Sequence, residues 1–183
     1  MHYGNIKHFD VANGEGVRIT LFVSGCRNYC KNCFNPETWN FDYGKEFTQE
    51  VQDELIKDLG QSFIHGLSIL GGEPFEQENQ HGLVEFIKNV RKAHPNKTIW
   101  MYTGYTLEND LLDENGKKHT DVTKEILENI DILVDGRFVE ELKSLSLKFR
   151  GSSNQRIIDV QKTLKEGKVV LSPLNEYKEF KPK

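Results

Sequence analysis

The stretch VRITLFVSGCRNYCKNC, residues 17–33, joins a β-rich run to every cysteine of the chain. Val17 to Gly25 reads as a strand, because β-branched and apolar residues dominate it and the turn segment NGEG (13–16) precedes it. The strand runs straight into Cys26, Cys30 and Cys33, a C-x3-C-x2-C spacing. In parallel α/β architectures ligands gather beyond the carboxyl ends of the strands. A strand that delivers three thiols at its end points to that architecture.

Working outward, the rest of the chain repeats the alternation. FTQEVQDELIKDLGQ (47–61) reads as a helix with Thr48 as N-cap and Val51, Leu55, Ile56 and Leu59 as its apolar stripe. HGLSIL (65–70) is a second strand, ending at Gly71-Gly72-Glu73-Pro74. A helix follows over 78–94, with Leu83, Val84, Ile87 and Val90 inward and Pro95 past its end. KTIWMYTGY (97–105) is a strand, DVTKEILENI (121–130) a helix, and DILVDGRF (131–138) holds a fourth strand ending at Asp135-Gly136. RIIDV (156–160) and KVVL (168–171) are candidate late strands. This order of βαβ units predicts an α/β fold with a largely parallel sheet. A closed eight-fold barrel typically needs ~250 residues, so 183 residues allow a partial, incomplete β/α barrel or an open sheet. One domain over 1–171 is expected, with 172–183 a polar, flexible tail.

Composition narrows the function classes. Twenty-four basic against 28 acidic residues give a net charge of −4, and the basic residues form no stripe, so nucleic acid is not an expected partner. No apolar run approaches the ~20 residues that span a bilayer, and the N-terminus lacks the apolar core of a signal peptide, so a cytoplasmic protein without membrane contact is expected. In a reducing compartment a tight cysteine cluster reads as metal-binding or catalytic.

Three thiols are one short of a closed structural zinc site, and none of the six histidines stands at a finger-like spacing. A [4Fe–4S] cluster that only carries electrons takes four thiolates. With three, one iron stays open to bind a substrate, which is the reading favoured here; a catalytic zinc with three thiolates is the alternative. The other strand ends are also loaded: Gly71 to Pro74, Thr103-Gly104-Tyr105 and Asp135-Gly136-Arg137.

The C-x3-C-x2-C signature resembles that of the radical S-adenosylmethionine (SAM) superfamily, and Gly71-Gly72-Glu73-Pro74 resembles its GGE motif. The resemblance implies a [4Fe–4S] cluster on Cys26, Cys30 and Cys33 and SAM bound at its open iron. A reduced cluster then splits SAM into methionine and a 5′-deoxyadenosyl radical, which abstracts a hydrogen atom. No protein acid or base is required. Gly72 and Glu73 would meet the methionyl amino group, and the backbone of Asn32, Cys33 and Phe34 the adenine. The superfamily usually carries an aromatic residue before the third cysteine, where this chain has Asn32.

TLFVSGC, NPETW, WMYTGY, LVDGRF and above all FRGSSNQR (149–156) further resemble the activating proteins of anaerobic (class III) ribonucleotide reductases, over about residues 3–160. That family removes a Cα hydrogen from a glycine of its partner reductase, leaving a glycyl radical. The implied partners are the reductase and a low-potential electron donor such as flavodoxin. The competing readings are an activase of pyruvate formate-lyase type and a non-catalytic metal-binding interaction module. Thr103 is read either as a partner of the SAM ribose or as a strand terminator, and Asp135 either as an acceptor for SAM or as a turn residue. Arg137 is assigned to a SAM carboxylate or to a surface ion pair, and Arg150 with Asn154 to Arg156 to a partner-facing or strand-end network or else to a plain loop. Trp39 and Trp100 are read as core, and Arg18 as part of a solvated face.

Overall fold

The computed structural model describes residues 1–176, and the chain does not open with its cysteine-bearing strand. A nine-residue strand, β1 (His2–Asp10), comes first and pairs antiparallel with β2 (Arg18–Val23). Its run HYGNIKHFD is mostly exposed or half-buried, so it lacks the apolar signal that marks the central strands. The two-residue β3 (Lys45–Glu46) covers its outer edge.

The remaining elements follow the predicted alternation. They are α1 (Gln49–Leu59), β4 (Gly66–Gly71), α2 (Gln77–Ala93), β5 (Thr98–Tyr102), α3 (Thr123–Asn129), β6 (Ile132–Asp135), β7 (Arg156–Asp159) and α4 (Val160–Glu166). The Thr48 hydroxyl accepts from Val51 N–H, the cap expected from its place before α1. A short π-helical turn over Leu107–Leu112 and α4 carried no recognised signal. KVVL is not a strand. Only Leu171 bridges Ile158, because Gly167, left-handed at φ 68°, has just turned the chain off α4. Ser172 to Asn175 form a capped turn against β7, where the Asn175 amide bonds Ile157 N–H and C=O. The rest of the expected flexible tail, from residue 177, lies outside the described residues.

The seven strands lie in the order β3-β1-β2-β4-β5-β6-β7. β2, β4, β5 and β6 run parallel, while β1 and β7 flank them antiparallel, and the sheet is open rather than closed. Alternation along these strands sends two sets of side chains to opposite faces. Ile19, Leu21, Leu67, Ile69, Ile99, Met101 and Leu133 join the core with Leu55, Leu59, Leu83, Phe86, Ile87 and Ile126 of the helices. The other face carries Arg18, Thr20, Ser68, Leu70, Trp100 and Tyr102.

Arg18 corrects the sequence reading. It is wholly buried, not on a solvated face. Its guanidinium donates to Ser68 Oγ, Thr98 Oγ1 and the carbonyls of Glu15, Leu67 and Thr98, and it lies 5.3 Å from the Trp100 ring centre. Trp100 is core, as its apolar strand context predicts.

Candidate functional site

The carboxyl ends of the parallel strands open into a cavity of about 420 Å³. Cys26, Cys30, Cys33, Phe34, Gly72, Glu73 and Thr103 all line it. Asn32 and Asp135 do not.

The cysteine loop leaves β2 through Gly25. Two of its residues, Tyr29 (φ 47°) and Asn32 (φ 55°), adopt left-handed backbone. Asn tolerates that region better than most residues, and Asn32 stands where an aromatic residue was expected. The aromatic ring on the cavity wall comes instead from Phe34, with Phe138 at 5.6 Å. Arg27 anchors the loop: its backbone N–H and guanidinium reach the buried Glu76 carboxylate, and a second arm reaches Glu78. Lys118 donates to the same Glu76 oxygen. Among the described residues Arg137 forms no ion pair; it donates to the Asn28 carbonyl at 2.7 Å and ties the loop to the end of β6.

Gly71 and Gly72 have separate reasons. Gly71 stands at φ 111°, a conformation that side chains rarely adopt. At Gly72 a Cβ would sit 2.7 Å from the Gly25 carbonyl oxygen, so the second glycine lets the two strand ends meet. The Gly25 carbonyl accepts from Glu73 N–H there.

Glu73 is buried at 1% exposure yet lines the cavity. One carboxylate oxygen accepts from Phe75 N–H and Thr103 Oγ1 at 3.0 and 2.8 Å. The other accepts from Gly104 N–H and Asn28 Nδ2 at 2.8 and 3.1 Å. Burial pushes its pKa up to about 7, against the pull of these donors. Thr103 therefore spends its hydroxyl on Glu73. Asn28 is a site residue that sequence reasoning missed; it bonds Glu73 and sends its backbone N–H to Cys26 Sγ, and nothing in its type or spacing marks it.

Asp135 faces another way. Fully buried, it accepts from Arg156 through both oxygens and from Leu107 N–H. Arg156 pairs with Glu108 as well. Gln155 donates to the Gly136 carbonyl and accepts from Gly151 and Ser152 N–H, and Asn154 donates to the Arg137 carbonyl. The segment 150–156 is thus a strand-end network. Trp39 is not core but cavity wall, in a turn over Pro36–Trp39.

The donor set fits an iron–sulfur cluster. Iron–sulfur clusters are held by cysteine thiolates, and three thiols share this cavity. The Trp39 indole N–H on the same wall is buried and has no partner among the described residues, a donor that a group bound there would satisfy. Burial, with the nearby Glu73 and Glu76 carboxylates, pushes the Cys26 thiol up to about 12. Ionising it takes positive charge, which iron supplies.

The comparisons agree with this chemistry. The family model of a 4Fe-4S single cluster domain matches residues 12–158. The chain is 42% identical over 159 residues to the anaerobic ribonucleoside-triphosphate reductase-activating protein of Vibrio cholerae, covering 86% of this chain and 97% of that protein. It is 38% identical over 157 residues to the protein of the same name from Escherichia coli K12, covering 85% and 96%. Against that of phage T4 it is 35% identical over 158 residues, covering 86% and 93%. No helix among the described residues is long and apolar enough to cross a membrane.

Proposed function

Since the chain belongs to the family of anaerobic ribonucleoside-triphosphate reductase-activating proteins, we propose that it acts on that reductase by radical SAM chemistry, removing a Cα hydrogen from a glycine. The observation that carries the reading is the meeting of three thiols with Gly72 and Glu73 in one cavity at the strand ends. Cys26, Cys30 and Cys33 hold the [4Fe–4S] cluster. The Glu73 carboxylate, fixed by four donors, offers a rigid acceptor for the ammonium of SAM. Phe34, with the backbone of Asn32 and Cys33, takes the adenine. Thr103 acts by holding Glu73, and Asp135 by anchoring the 150–156 network. Bound there, cluster and SAM supply the one-electron chemistry and the hydrogen-abstracting radical. The open sheet is read as a partial barrel whose unclosed side admits the reductase's glycine segment. A reduced cytoplasm keeps the thiols free, and a low-potential donor such as flavodoxin supplies the electron.

The test is anaerobic reconstitution with iron and sulfide, then SAM and dithionite. About four irons per chain and release of 5′-deoxyadenosine are expected, both lost in Cys26→Ala. With the reductase added, a glycyl radical signal appears in electron paramagnetic resonance. Tight zinc in place of iron, with no cleavage of SAM, overturns the reading.

A further inference from the structure

The chain between β6 and β7 does more than connect them. Ser144 N–H donates to the Gly151 carbonyl and Ser153 N–H to the Leu142 carbonyl, and Lys143 bridges Ser152, so residues 142–153 form a narrow antiparallel hairpin. β7 is the last strand of the sheet, which sets the hairpin beside the unclosed side. Lys143, Ser144, Leu145 and Leu147 line the cavity. The Lys143 ammonium lies 5.1 Å from the Phe34 ring centre, so the hairpin leans towards the cysteine loop and the two frame the cavity.

The foot of the hairpin is braced and its tip is bare. The Gln155 side chain accepts from Gly151 and Ser152 N–H, and Arg150 donates to the Gln155 and Asn175 carbonyls. At the tip the hydrogen bonds run within the hairpin, from Leu147 N–H to the Ser144 carbonyl and between the Ser144 and Ser146 hydroxyls. Leu145 is 94% exposed and still borders the cavity, and Leu142 is 44% exposed on the same hairpin. A lone exposed leucine is ordinary. One that stands on a braced hairpin at the rim of the cysteine cavity is placed for contact. A second exposed apolar pair, Phe9 stacked on Phe63 at 5.9 Å, lies at the amino ends of the strands, and neither ring lines the cavity.

We propose that the hairpin tip, with Leu145 as its apolar anchor, is where the reductase's glycine-bearing segment docks on its way into the cavity. The inference rests on the reading given under Proposed function. There the glycine must reach the SAM end of the cavity, so the chain on either side of it has to cross the rim. A glycine has no side chain to recognise, so affinity for its segment has to come from contacts beside it. Covering Leu145 takes apolar surface out of water, and the braced foot leaves the hairpin little freedom to lose on binding. Leu145 touches no reacting atom; it is a positioning residue.

The test measures binding of the intact reductase to the reconstituted protein with SAM present, by anaerobic biolayer interferometry, and 5′-deoxyadenosine release with dithionite alone. In Leu145→Ser the affinity for the reductase is expected to fall roughly 10–100-fold, the weight of one leucine side chain covered at an interface. SAM cleavage without reductase and the melting temperature should stay at wild-type values, since that side chain is already in water. Leu145→Met, which keeps the apolar contact, should bind at near wild-type strength, and so should Phe9→Ser at the far end of the sheet. Wild-type binding by Leu145→Ser overturns the inference, and so does an equal loss in Phe9→Ser. If the wild-type protein neither cleaves SAM nor binds the reductase, the reading under Proposed function falls and the inference with it. Cleavage and undiminished binding in every variant is the failure of the docking surface alone.

Discussion

Each end of the parallel strands buries an ionisable side chain that hydrogen-bonds only to uncharged groups, Arg18 at one and Glu73 at the other, and the two are handled differently. At the amino ends Arg18 gives its donors to five of the chain's own oxygens and lies against Trp100. At the carboxyl ends Glu73 collects four donors but keeps its place on a cavity wall. Neither charge has an oppositely charged partner among these hydrogen bonds. Arg18 is spent on tying neighbouring strands together; Glu73 lies where the proposed function places the ammonium of SAM. The difference predicts that changes at the first end act on stability and changes at the second on ligand binding.

The largest stability effect should come from Arg18→Met, which leaves buried carbonyls of Leu67 and Thr98 without their donor. A loss of about 3 kcal/mol or more in denaturant unfolding is expected, with iron content per folded chain unchanged. If instead iron loading fails in the folded variant, the separation of the two ends is wrong.

Next comes Glu73. Its pKa is raised from 4.5 to about 7, so between those values the folded protein keeps a proton that the unfolded chain has released. That contribution is full below pH 4.5 and is lost as pH rises to about 7, a fall of about 3 kcal/mol at most. Glu73→Gln should abolish this slope in melting curves and weaken SAM binding about tenfold or more, the weight of one charge-assisted hydrogen bond. The upward shift of exposed His81 gives a smaller fall of the same sign in both proteins. An unchanged slope in the variant would show that Glu73 is already ionised throughout.

Thr103→Val removes one donor to Glu73 and the acceptor for Tyr105 N–H. It should cost about 1–2 kcal/mol of stability and a few-fold in SAM affinity. Smallest of all is Glu78→Ala. Its pair with Arg27 is half-exposed, and Arg27 keeps the buried Glu76, so calorimetry should find a change within about 0.5 kcal/mol.

The parts legible in the sequence were those with local signals. The strand feeding the cysteines, β4 with its two glycines, the capped α1 and the inward stripe of α2 all follow from period, cap and turn chemistry. β1 was hidden because its solvated edge has no apolar period, and α4 because a seven-residue helix carries little pattern. Around the site, spacing marked the cysteines and Glu73 but could not mark Asn28. Its work is to reach an oxygen 45 positions away in the chain.

By itself, then, the sequence determined the three thiols with no fourth, the paired glycines before a carboxylate, and the order of strands and helices. Only the tertiary structure decided what each polar residue faces. It moved Arg18 from solvent to the core and turned Asp135 away from the cavity. It assigned the Thr103 hydroxyl to Glu73 and left Tyr102 and Arg150 each with a buried donor that has no partner among the described residues. The physical reason is that residue type and periodicity specify which groups a chain carries and which face of an element they occupy. Whether a buried donor finds its acceptor depends on where distant strands and loops meet.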